Sequence, residues 1–308
     1  MNKPIFSVII NCKNSEKYIN EAVNSILNQS FEDFEIIIID NNSIDSTSDI
    51  INSLNDLRIK YFNTNIDLNL GDARNFGLNK SVGKFIGFLD SDDLWHNRKL
   101  EKSFLQLSNK DTVFAYSNVN YFNEKENFKL YPKNKSFSKN IFNDLLINYN
   151  LCISSCIFSR FFLNKMKSFF DPNLEVCEDY DFFLRLSNLG LVNYTDEVLV
   201  SYRIHSANLT KTKRLLFFKE KELIINKLNL LFGLESRILK HLLLFNKLDE
   251  AKFFWKQDKI RKAINLLRKN KHLSLALKLF YSFIFCFKYS FILRVYSLFK
   301  HKKIDMEL

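Results

Sequence analysis

Glycine is scarce in this sequence and unevenly placed. Six glycines serve 308 residues, and four of them, Gly71, Gly77, Gly83 and Gly87, fall inside seventeen residues. A cluster of that kind marks a place where the backbone takes unusual torsions or lets another element come close. Cysteine is also sparse. Cys12, Cys152, Cys156, Cys177 and Cys286 form no CxxC pair and have no neighbouring histidine, which argues against a disulfide framework and a zinc site and makes a reducing compartment the expectation. The N-terminal apolar stretch ends at Ile10, too short for the apolar region of a signal peptide, so a cytoplasmic location is expected. What is abundant is core-forming material: 46% hydrophobic and 15% aromatic residues beside 26% charged exclude disorder for most of the chain.

The formal charge of +11 is not spread evenly. Residues 1–210 hold 22 Lys and Arg against 26 Asp and Glu, a net −4, whereas residues 211–308 hold 23 against 8, a net +15. The chain has two electrostatic halves.

Apolar strand-like runs alternate with helical periodicity in the first third. Phe6–Ile10 is followed by Tyr18, Ile19, Ala22, Val23, Ile26 and Leu27, the spacing of one helix face. Phe34–Ile39 reads as a strand, and helices near 46–54 and 72–81 alternate with strands at Ile59–Asn63 and Phe85–Leu89. Continuous apolar strands separated by helices predict a parallel sheet covered on both faces, with ligands beyond the carboxyl ends of the strands. Three polar clusters fall there: Asn11 to Asn14, Asp40 to Asp45 and Asp90 to Asp93. From about Asp111 to Tyr202 the pattern is mixed, with strands expected at Val113–Ser117 and Val198–Tyr202, a polar loop over 123–139, a run Leu151–Phe158 and a short helix from near Asp179.

Several of these clusters carry chemistry, each with a plainer alternative. If the backbone stays extended past Leu89, Asp90 and Asp92 face one side and suit a hard divalent cation; otherwise the segment is a solvated acidic turn capping the next helix. Asp40 either caps the helix after Ser46 or accepts hydrogen bonds from a base or ribose. Arg74 sits in the first turn of a helix between two glycines, where a guanidinium beside carboxylates suits a diphosphate; it also suits a solvated face. Glu178, Asp179 and Asp181 precede an apolar helical run, where acids complement the helix dipole. Grouped carboxylates also raise one another's pKa toward the range of a general base. His205 follows a strand end, either as a structural residue or as a ligand for metal or phosphate.

The ordered series resembles family 2 of the inverting glycosyltransferases. Its text here is Ser7–Ile10 with Asn14, then 29–47 through Asp40-Asn41-Asn42-Ser43, Ala73-Arg74-Asn75-Phe76-Gly77, Gly83 to Trp95 through Asp90-Ser91-Asp92-Asp93, and Glu178-Asp179-Tyr180-Asp181. The resemblance covers about residues 4–208. It implies a GT-A (Rossmann-like) fold: a mixed, mainly parallel central sheet flanked by helices over 1–208, with an α-helical extension over 209–308. By the same resemblance Asn14, Asp40, Asn41, Arg74, Asp90 and Ser91 hold the nucleotide-sugar donor, with Asp40 on the uracil ring, Arg74 on the nucleotide or diphosphate and Asp90 on the ribose or a metal. Asp92, with Asp90 and His205, holds a divalent cation, Mn²⁺ or Mg²⁺. Asp179 is the base that deprotonates the acceptor hydroxyl, with Glu178 beside it and Asp181 as the alternative. The implied reaction is a single displacement with inversion at the anomeric carbon. Asn11-Cys12-Lys13 stands where the family usually reads Pro-Thr-Tyr, and Asn41 where a second Asp often follows, both departures in the nucleobase pocket.

Residues 211–308 contain apolar helical runs studded with Lys and Arg: Leu215–Leu231, Ile260–Leu267 and Leu273–Phe299. The longest charge-free stretch of the last, Leu279–Phe287, is nine residues, against the ~20 a membrane span requires. A basic helix with aromatic bulk suits the plane of an anionic membrane surface, so the expectation is a peripheral protein on the inner face of the cytoplasmic membrane with a glycan or lipid-linked acceptor. Packing on the catalytic domain or a dimer is the other option for these helices. A pI near 9.2 raises nucleic acid as a partner, and the acidic first half and the lack of a nucleic-acid motif argue against it. A donor-binding module without transfer is disfavoured by the presence of Asp90, Asp92 and Asp179 together.

Overall fold

The computed structural model describes residues 3–123, 127–129, 138–206, 208, 212–270, 281, 283 and 285. Contacts divide the chain into two compact units, 1–212 and 213–308.

The first unit is built on one sheet of ten strands, with helices between them. In chain order the elements are β1 (Phe6–Cys12), α1 (Ile19–Leu27), β2 (Phe34–Asp40), α2 (Thr47–Ser53), β3 (Ile59–Asn63), α3 (Leu70–Lys80), β4 (Phe85–Phe88), β5 (Leu94–Trp95) and α4 (Lys99–Gln106). They continue with β6 (Thr112–Phe122), β7 (Asn127–Lys129), β8 (Ser138–Lys139), α5 (Phe142–Ile147), a 3₁₀ turn (Ile153–Ser155), β9 (Cys156–Ser159), α6 (Arg160–Leu163), α7 (Glu178–Ser187) and β10 (Leu191–Arg203). The sheet runs β3-β2-β1-β4-β9-β6-β10-β5, with β7 paired to β6 and β8 to β10. The long ladders are parallel: β1 with β2 and β4, β2 with β3, and β6 with β10. Only β9, β5, β7 and β8 run antiparallel to their neighbours, which makes the sheet mixed and matches the expected architecture.

Every residue of β2 is buried, the signature of a central parallel strand covered on both faces. One core holds Val8 and Ile10 of β1, Ile36 and Ile38 of β2, and Ala22, Val23 and Ile26 of α1, the positions that the helical spacing selects. On the other face α3 lies against the sheet because Gly77 has no side chain: a Cβ there would stand 2.6 Å from Ile9 Cγ2. Gly83 lets the chain pass the backbone nitrogen of Ser7 at a distance, 2.5 Å, that no Cβ tolerates. The glycine cluster is therefore a close-packing device, and none of its members takes a positive φ.

Three expectations change in the second half of this unit, the first being the polar loop over 123–139, whose described residues include two short strands, β7 and β8. The strand expected at Val198–Tyr202 is the end of a longer one, β10, which pairs with β6 across three register shifts. The run Leu151–Phe158 splits into a 3₁₀ turn and a short antiparallel strand.

The second unit contains α8 (Arg214–Phe232), α9 (Ser236–Lys256) and α10 (Ile260–Lys269). The helix α9 has no counterpart among the apolar runs singled out above, because Arg237, Lys240, Lys247, Asp249, Glu250, Lys252 and Lys256 leave no apolar run in its sequence longer than Leu242–Phe245. A core of Leu248, Ala251, Trp255, Ala263, Leu267 and Phe285 joins the unit, with Trp255 and Phe285 stacked at 5.0 Å. Apart from residues 281, 283 and 285, the expected helix over Leu273–Phe299 lies outside the described residues. Among the described residues no helix is long and apolar enough to cross a membrane.

Candidate active site

The strand ends of β1, β2 and β4 carry three loops that are tied to one another. Asn14 takes a left-handed conformation (φ 50), and its side chain accepts from the backbone of Ile44 at 2.9 Å while its own backbone donates to Ser43. Ser15 and Ser91 hydroxyls meet at 2.9 Å, which links the β1 loop to the acidic turn after β4.

Asp40 is fully buried. One carboxylate oxygen accepts from the Ser43 backbone and the other from the Tyr61 hydroxyl at 2.7 Å, so its side chain shapes the strand-end loop. Asp45, not Asp40, accepts from the first backbone N–H of α2. Asn41 clamps the other side of this loop, donating to the carbonyl of Leu68 and accepting from its N–H. The residue of this cluster that lacks such work is Asn11, near the end of β1. Ile10 and Cys12 face the core, so Asn11 points to the α3 face, and both polar atoms of its amide are buried without a partner. An orphaned buried amide costs free energy, and its place at the strand ends fits a ligand that supplies both hydrogen bonds. Its position within the Asn11 to Asn14 cluster was visible from sequence; its isolation was not.

The acidic segment after β4 is a turn. The strand ends at Phe88, and the Asp93 N–H donates to the Asp90 carbonyl at 3.0 Å, so Asp90 and Asp92 are not alternate positions of an extended chain. Asp93 is the anchor of the turn: it is fully buried, accepts from the Ser154 hydroxyl and from the Arg203 backbone, and burial with Asp90 and Asp92 nearby pushes its carboxyl well up. Arg203 also donates to the Asp92 carbonyl at 2.9 Å. The same stretch of chain brings His205 to Asp92, Nε2 to Oδ2 at 2.7 Å, across 113 residues of sequence. A carboxylate and an imidazole, with Asp90 on the same turn, are donor types that suit a divalent cation, but among the described residues no group of three His, Cys, Asp or Glu side chains is placed to hold a metal ion.

Arg74 ties this turn to α7. It is almost entirely buried, donates to Glu178 and, at 3.3 Å, to Asp90, and lies over the rings of Phe88 and Phe170. Removing one partner of such a buried pair costs about 3–5 kcal/mol, so the three side chains act as a unit. Burial pushes the Glu178 carboxyl up to about 7 against the pull of Arg74, and Asp179 adds to the rise; its second oxygen is buried without a partner. Asp179 stands beside it, less buried. Its carboxylate accepts from the Tyr149 hydroxyl at 3.1 Å and from the Tyr180 N–H, and burial raises its pKa against the pull of Arg74. Asp181 lies elsewhere. It is fully buried in an ion pair with Arg185 at 2.7 Å, and Arg185 donates to the carbonyls of Ser168 and Phe169. Two residues apart on a helix, Asp179 and Asp181 face different sides, and Asp181 holds the segment before α7 in place.

A cavity of about 610 Å³ lined by Leu94, His96, Asn118, Asn120 and Ser201 contains none of these side chains.

An open sheet whose strand ends gather a buried arginine, an acidic turn and an acidic helix start is the setting in which such sheets bind ligands, and here it belongs to a glycosyltransferase with a GT-A-like fold. The chain belongs to Glycosyl transferase family 2, whose sequence pattern matches residues 7–167. It is 35% identical over 187 residues to a glycosyltransferase of Haemophilus influenzae, an alignment covering 60% of this chain and 72% of the relative. It is 32% identical over 217 residues to WfaP of Escherichia coli, named a UDP-Glc:alpha-D-GlcNAc-diphosphoundecaprenol beta-1,3-glucosyltransferase, covering 70% of this chain and 82% of WfaP. Among solved structures it shares the fold of S. aureus TarS in complex with UDP, with a TM-score of 0.65 and 23% identity over 85% of this chain and 78% of that one. The mannosyltransferase PcManGT of Pyrobaculum calidifontis, in complex with GDP-Man and Mn²⁺, superposes with a TM-score of 0.63 at 13% identity over 98% of this chain and 82% of that one.

Proposed function

We propose that this glycosyltransferase moves a hexose or N-acetylhexosamine from a UDP-sugar to a hydroxyl of a lipid-linked oligosaccharide, with inversion, in the assembly of a bacterial surface polysaccharide. The observation that supports the reading is Arg74, which joins Glu178, the neighbour of Asp179 at the start of α7, to Asp90 in the acidic turn. The acceptor class follows WfaP, whose name gives its acceptor as a sugar on diphosphoundecaprenol.

In this reading Asn11 offers an unmatched amide to the base or ribose, while Asp40, Asn41 and Asn14 keep the pocket wall in shape and Ser91 the turn. Arg74 faces the diphosphate. Asp92 and His205, with Asp90, would hold a divalent cation, which supplies charge stabilisation to the departing diphosphate. Asp179 takes the proton of the acceptor hydroxyl as that oxygen bonds to the anomeric carbon, and the bond from carbon to the diphosphate oxygen breaks with its electrons going to the nucleoside diphosphate. Incubation with a panel of UDP-, GDP- and dTDP-sugars, read as released nucleoside diphosphate, tests the donor. Turnover is expected with UDP-sugars; turnover with GDP-sugars alone would overturn that part of the reading.

A pH profile tests the base. Asp179 acts when deprotonated, and its pKa is raised by burial, so transfer should fall on acidification at a higher pH than an ordinary aspartate, near 3.9, would give. The Tyr149 hydroxyl donates to the charged form of Asp179 and lowers its pKa. Tyr149→Phe therefore should move the acidic limb to still higher pH while the plateau rate changes little. An unmoved limb would detach Tyr149 from the base.

A further inference from the structure

The positive charge of the chain belongs to its second unit, and the structure gives that unit a surface to match. One side of α8 is packed through Phe218, Ile225 and Leu228, all buried, and Asn246 of α9 donates to the Phe218 carbonyl at 2.8 Å. The opposite side carries Leu215, Leu223 and Leu230 at helical spacing, 44%, 62% and 86% exposed. Gly233 ends α8 in the left-handed conformation (φ 62). That stop leaves Leu230, Leu231 and Phe232 consecutive at the tip of the α8–α9 hairpin, the last two 56% and 37% exposed. Arg237 and Lys240, both exposed, open the next helix. Across 223–248 the charged residues are Lys227, Arg237, Lys240 and Lys247 against Glu235 alone.

We propose that the α8–α9 hairpin tip docks on an anionic membrane, with Leu230, Leu231 and Phe232 entering the interface and Arg237 and Lys240 meeting headgroup phosphates. Charge chooses this occupant. Residues 211–308 carry a net +15, so the same segment of a second copy, or the rest of this one, brings like charge to the tip, whereas anionic headgroups bring the opposite sign. Apolar side chains projecting beside basic ones are the composition of elements that lie in the membrane interface. The expected contact over Leu273–Phe299 is not needed for this, and the one core aromatic described there, Phe285, faces inward on Trp255.

The test is flotation of the full-length chain with vesicles of phosphatidylglycerol and phosphatidylcholine, or of phosphatidylcholine alone. The native chain should float with the anionic vesicles and release at high salt. The triple variant Leu230→Ser, Leu231→Ser, Phe232→Ser should lose at least tenfold in bound fraction, and its melting temperature checks that it folds. Arg237→Glu with Lys240→Glu, at exposed positions, should lose the preference for anionic vesicles while the leucines stay. No flotation of the native chain, or equal flotation of both variants, overturns the proposal. So does a triple variant that floats normally but loses self-association by light scattering, which would make a second copy the occupant. Flotation reads no sugar transfer, so its outcome stands apart from that of the donor assay.

Discussion

Replacing Asp179 by asparagine should leave donor binding intact and lower transfer by roughly 10²–10⁴-fold, the usual contribution of a positioned general base. The substitution keeps the shape of the side chain. Its remaining carbonyl oxygen can still accept from Tyr149 or from the Tyr180 N–H, the two donors that now hold the carboxylate, so the start of α7 has no reason to move. Donor contacts should survive because Arg74 is held by Glu178 and Asp90, not by Asp179. Titration calorimetry with the nucleoside diphosphate, beside a transfer assay on the same preparation, separates the two effects. Full transfer by the variant would shift the base to Glu178. That residue has a raised pKa of about 7, yet one of its oxygens is engaged by Arg74. Asp181 is not the fallback, since Arg185 holds it with two hydrogen bonds on another side of the helix.

The fate of Asp181 marks what a sequence can and cannot reveal here. The first four strands and three helices follow from local periodicity: apolar runs such as Ile36–Ile39 are buried on both faces, and the α1 positions at helical spacing are the ones in the core. The acidic groups of the site are legible because carboxylates gather at strand ends and at a helix start. What periodicity does not carry is which carboxylate meets which partner. Glu178, Asp179 and Asp181 are equivalent as text, and the structure separates them through Arg74, Tyr149 and Arg185, partners up to 104 residues away. The same holds for Asp93, which reads as one more acid of the cluster after β4 and is the buried foot of the turn, fixed by Ser154 from a 3₁₀ segment and by Arg203 from β10. Asp40 likewise sits at the predicted strand end and gives its oxygens to Ser43 and Tyr61. Long-range pairing decided these roles, and β10 itself was only partly visible because its bulges break the two-residue alternation.

Replacing Asp92 by alanine should abolish the part of donor affinity that depends on a divalent cation, and should do so without unfolding the site. The turn is not held by the Asp92 side chain. It is held by the Asp93 N–H on the Asp90 carbonyl, by Arg203 on the Asp92 carbonyl, and by Ser154 on Asp93, all of which survive the change. The carboxylate itself is about a quarter exposed and paired with His205, so its loss should cost about 1 kcal/mol, the usual net contribution of one hydrogen bond, too little to unfold the site. Its loss also removes the carboxylate that meets the His205 imidazole at 2.7 Å, and a hard cation that the protein holds through only a few groups would not tolerate losing one. Calorimetry of nucleoside diphosphate binding with Mn²⁺ and with chelator makes the comparison. The native chain should bind more tightly with Mn²⁺, and the variant should bind with one affinity in both conditions, equal to that of the native chain in chelator. A variant that still gains affinity from Mn²⁺ would place the cation on Asp90 and the diphosphate alone, and His205 would then act as the orienting partner of the Asp92 carboxylate.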